Sequence, residues 1–208
     1  MAMRAKVFDR WTERKLQELP GAVVLHLGCG MDSRCLRVKH GENLWYDVDF
    51  PDVIRERQKY FAQDDTYRMI CGDVRERDWL DQIPGDAAIV VMEGISMYLT
   101  PEELTSAMSN LYGRFEKLAV LMDCYSEFAA KASKYKNPIN DVGVTQVYGL
   151  DDPRALEKTG LHFVEEKDMT PDEMIRELTG LEQKIFRKLY AGKTARKLYR
   201  MYEFRKGE

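Results

Sequence analysis

Acidic and glycine residues stand at the ends of five short apolar runs, and acids so placed can bind the hydroxyl and amino groups of a nucleoside. In chain order the runs end in Gly28-Cys29-Gly30, Asp47-Val48-Asp49, Gly72-Asp73, Glu93-Gly94 and Asp123. In open parallel sheets, ligands bind beyond the carboxyl ends of the strands. Five such ends in a row therefore indicate one ligand lying across a sheet edge. The alternative is that these acids only cap the helices that follow.

The first turn narrows the class of ligand. Gly28 and Gly30 permit a tight turn, but Ser33 stands where a dinucleotide fingerprint would carry its third glycine. Asp49 follows Gly30 by 19 residues (49 − 30), the spacing at which a carboxylate meets ribose hydroxyls. An acidic rim suits S-adenosylmethionine, which has a ribose diol, an adenine amino group and no phosphate. We therefore expect Asp49 to bind the ribose and Asp73 to accept from the adenine amino group.

The elements that must position these residues follow from the alternation of apolar runs with helical patterns. This alternation predicts an α/β fold: one Rossmann-like, doubly wound, mostly parallel sheet with helices on both faces. A late antiparallel edge strand and a helical C-terminal region complete the prediction. The predicted strands are Ala22–Leu27, Leu44–Tyr46, Tyr67–Ile70, Ala87–Met92, Leu118–Met122, His162–Glu165 and Tyr199–Arg205. The predicted helices are Pro51–Phe61, a helix capped by Thr100 and running to about Phe115, Ser126–Lys136 and Thr170–Leu198, with a loop over Asn137–Gly149.

The 208 residues suit a single domain. We divide it into an N-terminal helix (1–20), a cofactor-binding core (21–125) and substrate-side helices and final strands (126–208). Lys and Arg number 32 against 35 Asp and Glu, so a nucleic-acid partner is not expected. No apolar run approaches the roughly 20 residues that span a bilayer, and the charged N-terminus is unlike a signal peptide. We expect a cytoplasmic protein without a membrane partner.

Four segments carry a resemblance to a known family. They are Val24–Arg34, which is similar to the glycine motif LGxGxDTR, Trp45–Pro51, Gly72–Val74 and Glu93–Leu99. In this order and spacing they resemble the leucine carboxyl methyltransferase family, in particular its bacterial branch of polyketide-associated O-methyltransferases. The match covers about residues 4–125 and extends more weakly over Tyr148–Pro153. The resemblance implies a class I S-adenosylmethionine-dependent methyltransferase that releases S-adenosylhomocysteine.

The resemblance also implies a set of cofactor-binding residues. They are Arg4, Gly28, Gly30, Asp49, Asp73, Val74 and Glu93. In the family an arginine before the first strand contacts the cofactor carboxylate, and Arg4 lies within one residue of that spacing. Glu93 would lie near the methionine moiety, on its ammonium, and Val74 would hold the adenine together with Asp73. The chain begins almost at Arg4, where larger relatives have a longer segment, so a small-molecule acceptor is expected rather than a protein.

The expected acceptor is a carboxylic acid. A carboxylate has a pKa of about 4 and needs no general base, whereas a phenol with a pKa of about 10 would benefit from one. The three histidines do not stand near the Glu93–Tyr98 segment, and His26 lies inside the first predicted strand. Tyr98 and Tyr125 are candidate acceptor-pocket residues, and Arg34 is a candidate anchor for an anionic acceptor. We identify no catalytic base and expect no metal site.

Three alternatives stay open on the sequence. The first is a methyltransferase that acts on a phenol or another hydroxyl. The second is a non-catalytic regulatory protein that only binds S-adenosylmethionine. The third is an NAD-dependent oxidoreductase, which Ser33 and the acidic rim disfavour.

Overall fold

The strands and helices are those of a computed structural model that describes residues 2–133, 146–189, 192 and 197–207. The strands are β1 (Val23–Leu27), β2 (Trp45–Asp49), β3 (Tyr67–Cys71), β4 (Ala87–Met92), β5 (Lys117–Tyr125), β6 (His162–Lys167) and β7 (Tyr199–Lys206). The α-helices are α1 (Ala2–Glu18), α2 (Arg34–Arg37), α3 (Pro51–Arg57), α4 (Pro101–Arg114), α5 (Glu127–Ser133), α6 (Asp172–Arg176) and α7 (Gly180–Leu189). Short 3₁₀ helices cover Asp78–Gln82, Ser96–Tyr98 and Pro153–Thr159. Among these helices none is both long and apolar enough to cross a membrane.

The seven strands form one sheet in the order β3-β2-β1-β4-β5-β7-β6. The first five strands pair in parallel, and β7 runs antiparallel to both β5 and β6. The predicted fold class is confirmed, but the antiparallel strand lies one position inside the edge. Burial explains this difference, because β7 buries Met201–Phe204 whereas most of β6 is exposed. The buried middle of β7 is covered by a strand on each side, and the polar β6 can face solvent.

Helices cover both faces of the sheet, so the central strands are buried on both sides, as their nearly continuous apolar sequences indicate. Leu25 of β1 packs into a core cluster with Met108 of α4, on one face. Its neighbour Val24 packs on the other face with Phe8 of α1 and Ile54 of α3. Helix α1 therefore lies against the sheet on the same face as α3. This position brings the beginning of α1 to the carboxyl end of β4.

Strands β2 and β5 each end three residues later than the sequence predicts, and this changes the environment of two acids. Strand β2 ends at Asp49 rather than before Asp47, and β5 ends at Tyr125 rather than before Asp123. Asp47 and Asp123 are consequently strand residues with fully buried side chains. They are available for internal contacts, whereas Asp49 stands at the strand end.

The predicted helix starts and ends are confirmed to different degrees. Thr100 forms the predicted N-cap of α4, accepting from the Glu103 backbone N–H at 3.1 Å, while the Glu103 side chain accepts from the Thr100 N–H at 2.8 Å. Helix α3 ends at Arg57, earlier than predicted. Two helices, α6 and α7, occupy part of the predicted helix over 170–198, of which residues 190, 191 and 193–196 lie outside the described residues. The same holds for residues 137–145 of the predicted loop and for residues 134–136 of the preceding helix.

Candidate cofactor site

The glycine turn after β1 is fixed by Asp49 at the end of β2. The Gly30 N–H donates to Asp49 Oδ2 at 2.8 Å, and the Phe50 N–H donates to Asp49 Oδ1 at 2.8 Å. Gly28 has a φ of +64°, and a Cβ added there would lie 2.1 Å from Cγ2 of Ile95. A side chain at position 28 would therefore clash with the segment that follows β4. The turn thus presents bare backbone beside an oriented carboxylate.

A groove of about 220 Å³ lies at this edge of the sheet, and we call it the cofactor groove. Five of the residues predicted for the site line it: Gly28, Asp49, Asp73, Val74 and Tyr98. Phe50, Ile95 and Leu99 add apolar walls that the sequence analysis did not assign. Phe50 directly follows Asp49, and Ile95 and Leu99 belong to the Glu93–Leu99 motif, so their positions in the motifs could have indicated them. The groove combines acids with apolar walls, as a purine nucleoside requires.

Asp73 is already paired with Arg75, a groove residue that the sequence analysis also missed. Arg75 Nε donates to both carboxylate oxygens of Asp73 at 2.9 Å, and the Arg75 backbone N–H donates to Oδ1 at 3.0 Å. The hydrogen bonds from the Arg75 side chain hold the pKa of Asp73 below its ordinary value. Arg75 Nη2 also donates to Oδ2, so each oxygen of this ionised carboxylate accepts two hydrogen bonds from Arg75.

A second group of side chains lies where β4, β5 and β7 meet α1. We call Arg4, Glu93, Asp123 and Tyr199 the Arg4 cluster. Arg4 Nε donates to Glu93 Oε1 at 2.8 Å, and Arg4 Nη1 lies 2.6 Å from the Tyr199 hydroxyl and 2.9 Å from Asp123 Oδ2. The Tyr199 hydroxyl donates to Asp123 Oδ2 at 2.8 Å, and the Gly94 N–H donates to Oδ1 at 2.7 Å. The two residues assigned to the methionine moiety, Arg4 and Glu93, are thus brought together.

Burial raises the pKa of Asp123 above its ordinary value, although Arg4 and the Gly94 N–H oppose this effect. Burial likewise raises the pKa of the Tyr199 hydroxyl, so that this group keeps its proton at neutral pH. On the sequence, Asp123 stands at a strand end without a predicted role, and Tyr199 is not among the predicted site residues. Neither residue belongs to a local motif that could have revealed the contact.

Arg34 does not have the environment of an acceptor anchor, contrary to the sequence-based expectation. Its side chain is fully buried, with Nε donating to Asp9 at 2.7 Å and Nη1 donating to His26 Nε2 at 3.1 Å. Its Nη2 also bonds to Glu93. The guanidinium therefore makes its hydrogen bonds inside the protein, and one of them helps to hold the Glu93 carboxylate in place.

Asp47 is enclosed as well, which distinguishes it from Asp49. Its carboxylate accepts from four buried donors: Tyr67 Oη at 2.6 Å, Trp45 Nε1 at 2.9 Å, His26 Nδ1 at 3.2 Å and Arg57 Nη2. Burial opposes ionisation of Asp47, but the hydrogen bond from His26 and the charge of Arg57 outweigh it and lower the pKa. Arg57 Nη1 in turn donates to the Gly30 carbonyl at 3.0 Å. Asp47 therefore stabilises the glycine turn indirectly, through Arg57.

The remaining acceptor candidates are tyrosines. Tyr98 is 41% exposed and borders the cofactor groove, and burial raises the pKa of its hydroxyl. Tyr125 packs against Tyr199 with ring centroids 5.1 Å apart and does not line the groove. His26 has both ring nitrogens engaged, by Asp47 and Arg34, so it is not free to act as a base. In the described part of the chain, no group of three or more His, Cys, Asp or Glu is placed to hold a metal ion.

The hydrogen-bonding and charged groups of the site fit S-adenosylmethionine. The bare Gly28 backbone leaves room where a Cβ would clash, and Asp49 and Asp73 offer carboxylates for hydroxyl and amino groups. Arg4 and Glu93 offer one charge of each sign, which matches an amino-acid zwitterion. Among the described residues, no comparable set of cations lines the groove for a pyrophosphate, since Arg75 is paired with Asp73.

This fold and this site define a class I S-adenosylmethionine-dependent methyltransferase. The leucine carboxyl methyltransferase family matches residues 1–112. The tetracenomycin polyketide synthesis O-methyltransferase TcmP of Streptomyces glaucescens is 34% identical over 187 residues, which are 88% of this chain and 69% of TcmP. The chain belongs to the leucine carboxyl methyltransferase family, whose members use S-adenosylmethionine.

Two further comparisons agree with this assignment. The S-adenosyl-L-methionine-dependent methyltransferase dpfgK of Gibberella zeae is 33% identical over 173 residues, which are 76% of this chain and 58% of that protein. The crystal structure of an S-adenosylmethionine-dependent methyltransferase from Mesorhizobium loti superposes with a TM-score of 0.61 at 13% identity. That superposition covers 96% of this chain and 98% of the other, and it concerns the fold alone.

Proposed function

We propose that the chain transfers the methyl group of S-adenosylmethionine to a carboxylate oxygen of a small organic acid. The observation that carries this proposal is the juxtaposition of the cofactor groove with the Arg4 cluster at one edge of the sheet. The printed name of TcmP, an O-methyltransferase of polyketide synthesis, supports an oxygen acceptor on a small molecule. Because the chain spans 69% of TcmP, the acceptor is inferred from the site and not transferred from that relative.

We assign each side chain a role that its position supports. Asp49 accepts from the ribose hydroxyls, and Asp73 with Val74 holds the adenine. Arg4 and Glu93 bind the carboxylate and the ammonium at the other end. When bound, S-adenosylmethionine supplies an electrophilic methyl group on a sulfonium sulfur. The protein contributes orientation and exclusion of water, which suffice for an in-line displacement by an ionised acceptor.

Carboxylate rather than phenol acceptors are favoured by the state of the available bases. His26 is engaged on both nitrogens, and Asp123 is occupied by Arg4, Tyr199 and Gly94. The raised pKa of the Tyr98 hydroxyl makes it a poor proton acceptor at neutral pH. An acceptor that arrives ionised does not need such a group. Tyr98, which borders the groove, and Tyr125 are proposed to line the acceptor pocket.

Transfer of a labelled methyl group to a panel of carboxylic acids and phenols tests this proposal. We expect methyl esters of one or more of the acids, identified by mass. Products from phenols alone would replace the carboxylate assignment and leave the cofactor assignment intact. Binding of S-adenosylmethionine without transfer to any acceptor would favour the regulatory alternative.

The ribose assignment is tested separately by calorimetry. Asp49→Ala should weaken binding of S-adenosylhomocysteine by about 1–3 kcal/mol, because charge-assisted hydrogen bonds are lost. Asp52→Ala is the matched control, since this exposed carboxylate lies three positions further along and does not line the groove. Equal affinities of the Asp49→Ala variant and the wild type would remove Asp49 from the site.

A further inference from the structure

The Arg4 guanidinium is held by side chains from three elements that lie far apart in the sequence. Glu93 follows β4, Asp123 belongs to β5, and Tyr199 begins β7, 195 positions after Arg4. The Arg4 side chain is 19% exposed, while that of Asp123 is fully buried. A charge fixed from several sides at the margin of a groove is pre-organised for a ligand of the opposite charge.

The Tyr199 hydroxyl connects the two charged partners. It accepts from Arg4 Nη1 at 2.6 Å and donates to Asp123 Oδ2 at 2.8 Å, so both of its hydrogen-bonding capacities are used. The Tyr125 ring packs on the Tyr199 ring, and the Arg4 guanidinium carbon lies 5.5 Å from the centroid of the Tyr199 ring. Tyr199 is therefore held on both its ring and its hydroxyl, and it can fix the orientation of Arg4.

Two of the three guanidinium nitrogens of Arg4 are bound by the other residues of the Arg4 cluster. Nε bonds to Glu93, and Nη1 bonds to Tyr199 and Asp123. Nη2 makes no hydrogen bond with the described residues, and it lies 3.9 Å from the position that a Cβ of Gly94 would occupy. Because residue 94 is glycine, the backbone beside Nη2 carries no side chain. Its φ of +76° lies in the left-handed region that favours glycine.

We propose that Tyr199 and Asp123 are positioning residues of the cofactor site, which orient Arg4 so that Nη2 is left for the carboxylate of the cofactor. This inference rests on the proposed function, in which Arg4 contacts that carboxylate. It gives the C-terminal strand β7, on which Tyr199 lies, an indirect role in cofactor binding. Tyr199 and Asp123 act through Arg4 and do not touch the cofactor themselves.

The test compares two ligands that differ at one end. S-adenosylhomocysteine carries the amino-acid portion, and 5′-methylthioadenosine lacks it. Tyr199→Phe removes only the hydroxyl and should lower the affinity for S-adenosylhomocysteine about tenfold, the effect of one hydrogen bond to a charged group. The affinity for 5′-methylthioadenosine should not change. Arg4→Ala should lower the same affinity at least as much, and adding Tyr199→Phe to Arg4→Ala should cause no further loss.

Tyr202→Phe is the matched control. Tyr202 is also buried on β7, but its hydroxyl donates to the Leu150 and Asp151 carbonyls and does not contact Arg4. It should leave both affinities unchanged. Thermal unfolding of each variant shows whether it is folded, and Asp123→Asn provides a second way to disturb Arg4 without removing a side chain.

The possible results separate the inference from the function on which it rests. Equal losses for both ligands in Tyr199→Phe, or no loss for either, would overturn the positioning role while the cofactor assignment stands. Full affinity of Arg4→Ala for S-adenosylhomocysteine would overturn it as well. A wild-type protein that binds neither ligand would refute the proposed function, and the inference would fall with it.

Discussion

The glycine-turn side of the cofactor groove and the Arg4 cluster differ in how far apart along the chain their residues lie. Gly30 bonds to Asp49, 19 positions away, and to Arg57, 27 positions away. Arg4 bonds to Glu93 across 89 positions and to Tyr199 across 195. The first region is closed by consecutive β-α units, whereas the second needs both ends of the described chain. The side of the site proposed for the adenosyl group is thus built locally, and the side proposed for the amino-acid portion needs the complete sheet.

The largest expected effect concerns the buried ion pair that supports the glycine-turn side. Arg57 and Asp47 form a fully buried pair beneath the glycine turn. Arg57→Ala leaves Asp47 charged and without this partner, and it should lower the free energy of unfolding by about 3–5 kcal/mol. Arg55→Ala, on the same helix, breaks the exposed pair with Asp52 and should cost less than about 1 kcal/mol. Urea unfolding of both variants measures the contrast, and similar losses would show that the turn does not depend on its buried support.

The second-largest expected effect is the difference between Gly28 and Gly30 in the stability lost on replacement by alanine. Both have positive φ, but a Cβ at position 28 would clash with Ile95, whereas one at position 30 meets nothing within 4 Å. Gly30→Ala should cost only the left-handed backbone strain, about 1–2 kcal/mol. Gly28→Ala should cost more in unfolding free energy and also weaken binding of S-adenosylhomocysteine. Introducing Ile95→Ala should recover part of the loss at position 28, and no recovery would mean that the contact with Ile95 is not its cause.

The buried acids of the two regions should give opposite pH dependences of stability. The pKa of Asp47 is lowered in the folded protein, so its contribution is present above its unfolded pKa and lost as the pH falls through the folded value. The pKa of Asp123 is raised, so the folded state binds more protons and stability falls as the pH rises from the unfolded towards the folded value. Unfolding free energies measured from about pH 3 to 7 should lose the first slope in Asp47→Asn and the second in Asp123→Asn. Parallel pH profiles for the two variants would contradict these assignments.

The smallest effect concerns Arg75 at the rim of the groove. Its pair with Asp73 is partly exposed, so Arg75→Ala should change the unfolding free energy by about 1 kcal/mol or less. Without the hydrogen bonds from Arg75, the pKa of Asp73 returns towards its ordinary value. Loss of cofactor affinity on acidification should then begin at a higher pH than in the wild type. Calorimetry across the acid range measures this shift, and an unchanged profile would remove Asp73 from adenine binding.

The same difference in sequence separation explains what could be predicted from the sequence. Strand ends that carry Gly28, Asp49 and Asp73 lie within recognisable apolar runs, and the groove contains all three. Arg34 is a candidate anchor on the sequence because its motif does not reveal that Asp9, from another helix, binds it. Tyr199 and Asp123 could not be joined to Arg4 without the strand order, since β7 inserts beside β5 only in the assembled sheet.

The place of β7 between β5 and β6 has a consequence for synthesis on the ribosome. β6 begins 37 residues before β7 (199 − 162) and has β7 as its strand partner in the sheet. At a synthesis rate of about 5–20 residues per second, β5 and β6 are made several seconds before the strand that pairs with both. During that interval the nine-residue β5 presents an open, mostly apolar edge to other nascent chains. Slow translation between residues 167 and 199 should therefore increase aggregation more than a pause of equal length after residue 206.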